Sequence, residues 1–210
     1  METETPRTSK IPMRDGLRLN AEIYMPPHRE SPSPVILHLT PYDDRERVSH
    51  GAGTFFSSHD YVFARVSCRA CGLSEGEFEL FSGNGRDGFD SVEWLADQPW
   101  CNGQVAMWGG SYCGFTQWAT AAQSPPHLAA IAPVASVGVV RDYPMVNNIF
   151  MCHSAFYCNF VDRHATRRES IDGLPFSWRE VYYKRFMEHL PFASLDSLVV
   201  RVGSQGRRET

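Results

Sequence analysis

The residues best spaced for chemistry lie at Trp108-Gly109-Gly110-Ser111-Tyr112-Cys113-Gly114, a serine among glycines between an apolar run and a helical pattern. A serine on a tight strand-to-helix turn needs small neighbours, so that the backbone can bend and Oγ stands clear above a sheet. A helix starting at Tyr112 aims its first N–H groups and the positive end of its dipole at the same place, which favours a developing oxyanion. The chemistry implied is nucleophilic attack by Ser111 on an acyl carbon. The general pattern is G-x-S-x-G, and here the second glycine falls one residue late, at Gly114. An ordinary glycine-rich turn with a capping serine looks the same over seven residues, so the neighbouring elements must decide.

Those elements agree with a strand, a sharp turn and a helix. Gln104 to Trp108 reads as a buried central strand, and Phe115, Trp118, Ala119 and Ala122 recur at helical spacing over Tyr112 to Ala122, before Pro125-Pro126. Upstream, Leu17, Leu19, Ala21, Ile23 and Met25 alternate as in a half-buried strand, and Asp15-Gly16 before them signals a hairpin. Val35 to Leu39, Tyr61 to Val66 and Leu128 to Val134 are short apolar runs expected of inner strands. Asp87 is the expected N-cap of a helix carrying Phe89, Val92, Leu95 and Ala96. Strands alternating with helices predict βαβ units and a mostly parallel sheet with flanking helices, an α/β fold. Residues 1–140 form that unit. Residues 141–210, with helix-like aromatic stretches at Asn147 to Phe160 and Trp178 to Leu190, are expected to begin an inserted helical cap.

Composition narrows the function classes. A chain of 210 residues that is 42% hydrophobic can bury one real core. Twenty Lys and Arg against 24 Asp and Glu give a formal charge of −4 without a basic stripe, which argues against nucleic acid as a partner. No run of about 18 apolar residues is present, and Met1 to Lys10 is polar, so a cytoplasmic location without membrane contact is expected. The six cysteines are expected as free thiols. Cys68-Arg69-Ala70-Cys71 lacks a second pair and continues as the loop Gly72 to Gly76, so it is assigned neither metal nor redox chemistry. No cofactor is called for, and the oligomeric state is not encoded in any feature noted.

The sequence resembles the cocaine-esterase and X-Pro dipeptidyl-peptidase family of α/β-hydrolase-fold serine hydrolases. The late glycine of Gly109 to Gly114 and the preceding Gln98-Pro99-Trp100-Cys101-Asn102-Gly103 carry the resemblance. Met13 to Leu19, Thr40-Pro41-Tyr42, Ser74 to Phe78 and Asp87 to Asp90 extend it over about residues 11 to 140. It implies that Ser111 is the acylated nucleophile and that the oxyanion is held by the Tyr42 hydroxyl and the Tyr112 N–H. Tyr42 also has a plainer reading, as a packed aromatic with a solvated hydroxyl. One segment departs from the family: where Asp-x-Arg-Gly-x-Gly is usual, this chain has Ser67-Cys68-Arg69-Ala70-Cys71-Gly72.

A serine hydroxyl needs a hydrogen-bonded base, itself oriented by a carboxylate. In this fold the order is Ser, then acid, then His, on loops after further strands. Downstream of Ser111 stand His127, His153, His164 and His189, with Asp142, Asp162, Asp172 and Asp196, but all except His127 fall in the cap-like stretch, and no acid separates His127 from the nucleophile. The acid and base are therefore expected beyond Thr210, and the chain is expected to be the front part of a hydrolase. Its substrate would be a small ester or amide, with esters favoured over peptides. The competing expectation is an inactive fragment or association module with an exposed sheet edge.

Overall fold

A computed structural model of the chain describes residues 5–27, 31–42, 50–138, 143, 145–147 and 149–151. The first two strands, β1 (Arg7–Pro12) and β2 (Arg18–Tyr24), form the antiparallel hairpin that Asp15-Gly16 predicts, with Gly16 at φ 88° in the turn. There follow β3 (Ser33–Thr40), α1 (His50–Ser57), β4 (Val62–Ser67), α2 (Asn84–Ala96), β5 (Cys101–Gly110), α3 (Tyr112–Ala121) and β6 (Leu128–Val134). The strands order as β1-β2-β4-β3-β5-β6, with β4, β3, β5 and β6 mutually parallel and β2 antiparallel to β4. This is the mostly parallel sheet of an α/β-hydrolase fold, in the part of it that these residues supply.

Period-two alternation separates two cores. Val35, Leu37, Leu39, Val62, Ala64, Val66, Val105 and Met107 face Val92 and Leu95 of α2. Their neighbours Ile36, Phe63, Ala106 and Trp108 face Ala52 and Phe56 of α1, so both faces of the sheet are covered. That is why the central strands read as nearly continuous apolar runs. The N-terminal hairpin is more buried than its alternation suggests, because the off-phase residues Asn20 and Tyr24 of β2 are also covered, Tyr24 edge-on to Phe63.

Several sequence expectations are corrected. Asp87 is not the N-cap of α2. That helix starts three residues earlier, after Gly83 at φ 71°. Asp87 instead takes two charge-assisted hydrogen bonds from Arg69, at 2.8 and 2.6 Å, the stronger use of a carboxylate. Leu128 to Val134 is the strand expected, parallel to β5, with its residues half-buried or exposed; among the described residues no strand pairs with its other side. Asn147, Ile149 and Phe150 are not helical. Met145–Val146 (β7) and Ile149–Phe150 (β8) form a small hairpin, with Asn147 at φ 51°, the left-handed turn geometry that asparagine tolerates. The rest of the expected helical stretches, with Cys152 and Cys158, lies outside the described residues. Cys68, Cys71, Cys101 and Cys113 are free thiols, all buried.

The helix α3 forms where the periodicity predicts it, but the apolar set at helical spacing is not its most buried face. Periodicity turns Phe115, Trp118, Ala119 and Ala122 inward, yet Trp118 is 56% exposed and the buried face carries Thr116, Gln117 and Thr120. Hydrogen bonding reverses the hydropathy reading. Thr116 Oγ1 donates to Leu39 O and Cys113 O, and Thr120 Oγ1 to Thr116 O at 2.7 Å. The buried hydroxyls are therefore satisfied.

Close approach of α2 and α3 sets a steric test. A Cβ at Gly88 would stand 1.8 Å from Thr120 Oγ1, whereas one at Gly51 in α1 would meet nothing within 4 Å. Gly88→Ala is expected to destabilise the fold by about 1–3 kcal/mol through overpacking, and Gly51→Ala to be neutral or stabilising by up to about 1 kcal/mol. Urea denaturation of both variants makes the comparison.

Candidate active site

Ser111 is the only residue between β5 and α3, exposed at the carboxyl end of the sheet. Its backbone stands at φ 55° and ψ −121°. L residues rarely go there, at a cost of about 1–3 kcal/mol. A serine acting as a helix cap has β-region dihedrals and lends its oxygen to the first turn. Ser111 does neither: its side chain makes no cap hydrogen bond. Its N–H instead donates to Val134 O of β6 at 2.9 Å, and its carbonyl accepts from Gly114 N and Phe115 N.

The glycines have distinct reasons. Gly109, at φ 149°, leaves a gap in which a Cβ would lie 2.7 Å from Cys113 Cβ and 2.9 Å from His38 Nδ1. At Gly114 a Cβ would lie 2.9 Å from Ser136 Cβ, so the late glycine is placed where α3 passes the end of β6. A Cβ at Gly110 meets only Val134 O at 3.4 Å and Val134 Cβ at 3.8 Å, both ordinary contacts.

Three buried polar residues that sequence reasoning did not single out support this turn. Gln117 Nε2 donates to Gly109 O at 3.0 Å and Cys113 O at 2.8 Å, while its Oε1 accepts from Ala132 N at 2.9 Å, stitching β5, α3 and β6 together. His38, 3% exposed, lies beneath the turn with Nδ1 3.0 Å from Trp108 O and Nε2 3.8 Å from Cys113 Sγ. Asn84 Oδ1 accepts from the Tyr112 hydroxyl at 2.9 Å, and that hydroxyl accepts from Phe81 N at 2.8 Å. A polar residue within an apolar strand or on a helix face beside a glycine-rich turn is the signal that could have found the first two.

Tyr112 is fully buried, stacked on Phe81 at 4.8 Å. As the first residue of α3 it carries an N–H that has no acceptor inside the helix. Tyr42 lies two residues beyond β3, the strand paired with β5. Their register sets Leu37 beside Met107, and the same offset brings Thr40 level with Gly110, so Tyr42 and Ser111 leave the same end of adjacent strands. The Tyr42 backbone is held on both sides, its N–H by Thr40 Oγ1 at 3.1 Å and its carbonyl by Arg65 Nη2 at 2.6 Å.

The histidines divide clearly. His127 precedes β6 and pairs with Glu93 at 2.8 Å, at the opposite end of the strand from Val134 and Ser111, so it is not positioned as the base. His59 is hydrogen-bonded to Phe55 O just after α1, and His38 is committed beneath the turn. Among the described residues none hydrogen-bonds the Ser111 hydroxyl, and no group of His, Cys, Asp and Glu could hold a metal. His153, His164 and His189, with Asp142, Asp162, Asp172 and Asp196, lie outside the described residues.

Comparison with known proteins locates this arrangement. The family model for X-Pro dipeptidyl-peptidases (S15 family) matches residues 15–183. The chain belongs to that family. It is 36% identical over 136 residues to cocaine esterase of Rhodococcus sp. (strain MB1 Bresler), covering 62% of this chain and 24% of that protein. An aminopeptidase from a marine sediment Thaumarchaeota archaeon superposes with a TM-score of 0.63 at 26% identity, over 76% of this chain and 31% of that one. An α-amino acid ester hydrolase superposes with a TM-score of 0.56 at 28% identity, over 62% and 25% of the two chains. The chain thus spans about a quarter of the length of the cocaine esterase it matches. The segment that departs from the family's Asp-x-Arg-Gly-x-Gly is well packed here: Cys68 and Cys71 are buried, and Arg69 is clamped by Asp87 and Asp15. Ala70 adopts φ 55°, a left-handed conformation in which the usual glycine would be unstrained. Burial lifts the Cys68 thiol well above its ordinary range, which fits an inert core residue.

The Tyr112 phenol generates a pH prediction. Burial, above all, raises its pKa above the ordinary 10.0, with smaller contributions from neighbouring groups that include Tyr42. A group whose folded pKa is raised contributes stability that is intact below the unfolded value and lost as pH rises beyond it. Stability should therefore fall above about pH 10. Tyr112→Phe should remove that part of the fall while costing about 1–3 kcal/mol at neutral pH, because Asn84 Oδ1 and Phe81 N–H lose their partner. Urea titrations of both proteins from about pH 7 to about pH 11 make the measurement.

Proposed function

We propose that the protein belongs to a serine hydrolase that cleaves small esters or amides through an acyl-enzyme on Ser111. The observation that carries this reading is the exposed, strained Ser111 at the β5–α3 turn, which does not serve as a cap. Strain of this kind concentrates at functional sites, because the surrounding structure must over-determine it. The α3 dipole and the Tyr112 N–H face the place where a tetrahedral oxyanion would form, and the Tyr42 hydroxyl is assigned as the second donor. Attack by Ser111 Oγ on the carbonyl carbon would expel the alcohol or amine, and water would then hydrolyse the acyl-serine. Relatives named as cocaine esterase and α-amino acid ester hydrolase favour esters over peptides.

The acid and base of this reading are assigned to residues beyond Thr210. A second reading, association without catalysis, is favoured by α3 and β6, where Trp118 is 56% and Val134 59% exposed and, among the described residues, no strand pairs with the outer side of β6. Exposed apolar side chains along an open strand are a ready template for another chain.

The two readings separate in one experiment. The 210-residue chain and a version extended along its reading frame are assayed with an aryl ester and a serine-reactive phosphonate, each with Ser111→Ala as control. The short chain is expected to turn over ester hardly faster than buffer, since loss of the base alone costs about a millionfold. The extended chain should be active and lose both turnover and labelling in Ser111→Ala. Rapid Ser111 labelling and turnover in the short chain would instead assign the base to His153, His164 or His189. An extended chain without Ser111-dependent turnover leaves the association reading standing.

A further inference from the structure

Arg65 is the largest fully buried side chain among the described residues, a guanidinium 1% exposed in the middle of a mostly parallel sheet. Such a charge is costly to desolvate unless carboxylate and hydrogen-bond partners surround it. On β4 it stands in a cross-strand row, opposite Glu22 of β2 on one side and His38 of β3 on the other. The Glu22 carboxylate lies 3.8 Å from Nη1 and supplies the countercharge, and Nη1 also donates to Ser67 Oγ at 3.1 Å. Nη2 leaves the row and donates to Tyr42 O at 2.6 Å.

That last bond reaches the candidate active site. Tyr42 lies just beyond the end of β3, and its carbonyl accepts from the Arg65 fork. With the Tyr42 N–H on Thr40 Oγ1, the two bonds fix the peptide planes on either side of its Cα. The direction in which the phenol leaves the backbone follows from those planes. Residue 67 matters too. A neutral Ser67 hydroxyl, where the family usually has a carboxylate, accepts from Nη1 as a neutral partner, a weaker acceptor than a carboxylate would be.

We propose that Arg65 is a positioning residue for the oxyanion tyrosine: by holding the Tyr42 carbonyl from within the sheet, it aims the Tyr42 hydroxyl at the carbonyl oxygen of the substrate. This rests on the oxyanion role assigned to Tyr42 above. The planar fork of arginine can meet three acceptors at once, which a lysine ammonium at the end of a flexible stem does less well. A donor displaced from its place is a rate defect more than a binding defect, because the oxyanion exists only in the transition state.

The test uses the catalytically competent extended protein, with kcat and KM for an aryl ester and the rate of Ser111 labelling by a phosphonate. Tyr42→Phe should lower kcat about a hundredfold. Arg65→Met should lower kcat by roughly ten- to a hundredfold with little change in KM, and Arg65→Lys should recover part of that loss. Glu22→Gln/Arg65→Met removes both charges together, so no lone carboxylate is buried, and carries the same comparison if Arg65→Met does not fold. Decisively, Glu22→Gln/Arg65→Met should cost almost nothing further in a Tyr42→Phe background, since there is no hydroxyl left to aim. A full multiplicative loss in that background, or a folded Glu22→Gln/Arg65→Met protein with unchanged kcat, would overturn the role of Arg65 while leaving Tyr42 in place. Wild-type kcat in Tyr42→Phe would instead overturn the oxyanion role of Tyr42, and the positioning role with it.

Discussion

One residue in an unfavourable conformation organises this molecule. Ser111 is held at φ 55° because β5 must end, α3 must begin and β6 must pass beside both within a single residue. The arrangement persists only because it is clamped from three directions. Val134 O takes the Ser111 N–H, Gln117 bonds the backbone on either side of the turn, and Gly114 lets α3 approach Ser136. Local strain of about 1–3 kcal/mol is small against the packing that imposes it.

Polar groups carry a large part of that clamping, which is unusual for the interior of a parallel sheet. Gln117, Thr116, His38, Asn84 and Arg65 are all nearly inaccessible, and each holds backbone or another side chain near the carboxyl ends of β3 and β5. Their hydrogen bonds are directional where hydrophobic contacts are not, so they can specify the path of a loop as well as its burial. The apolar clusters lie mainly along the strands and beneath α1 and α2. Stability and geometry are thus largely divided between two kinds of contact in one sheet.

Much of the fold was legible because parallel strands covered on both faces leave short, nearly continuous apolar runs, as Val35 to Leu39 and Val105 to Trp108 show. The turn at Ser111 was legible because Gly109 and Gly114 mark places where a Cβ would collide. What escaped was whatever hydrogen bonding decides against hydropathy. Trp118 of α3 is exposed while its threonines and Gln117 turn inward to backbone partners, and nothing in a periodicity of Phe115, Trp118 and Ala119 announces those partners. Asp87 looked like a cap because aspartate often is one, but its carboxylate is taken by Arg69, distant in sequence and adjacent in the fold. The Arg65 row was illegible for the same reason: only the pairing of β2, β4 and β3 brings Glu22, Arg65 and His38 side by side.

The register of β3 against β5 also governs the order in which this protein can assemble. Ile36 pairs with Ala106, so a strand at the centre of the sheet must wait for a partner from much later in the chain. At synthesis rates of roughly 5–20 residues per second, β3 stands without β5 for several seconds. Its parallel neighbour β4 arrives sooner, and β2, pairing antiparallel with β4 through Ala21 and Val66, can close the early sheet on that side. The turn at Ser111 is then the last part of the described sheet to form, since it needs β5, α3 and β6 together. Its strain would be imposed on a sheet whose earlier strands are already paired.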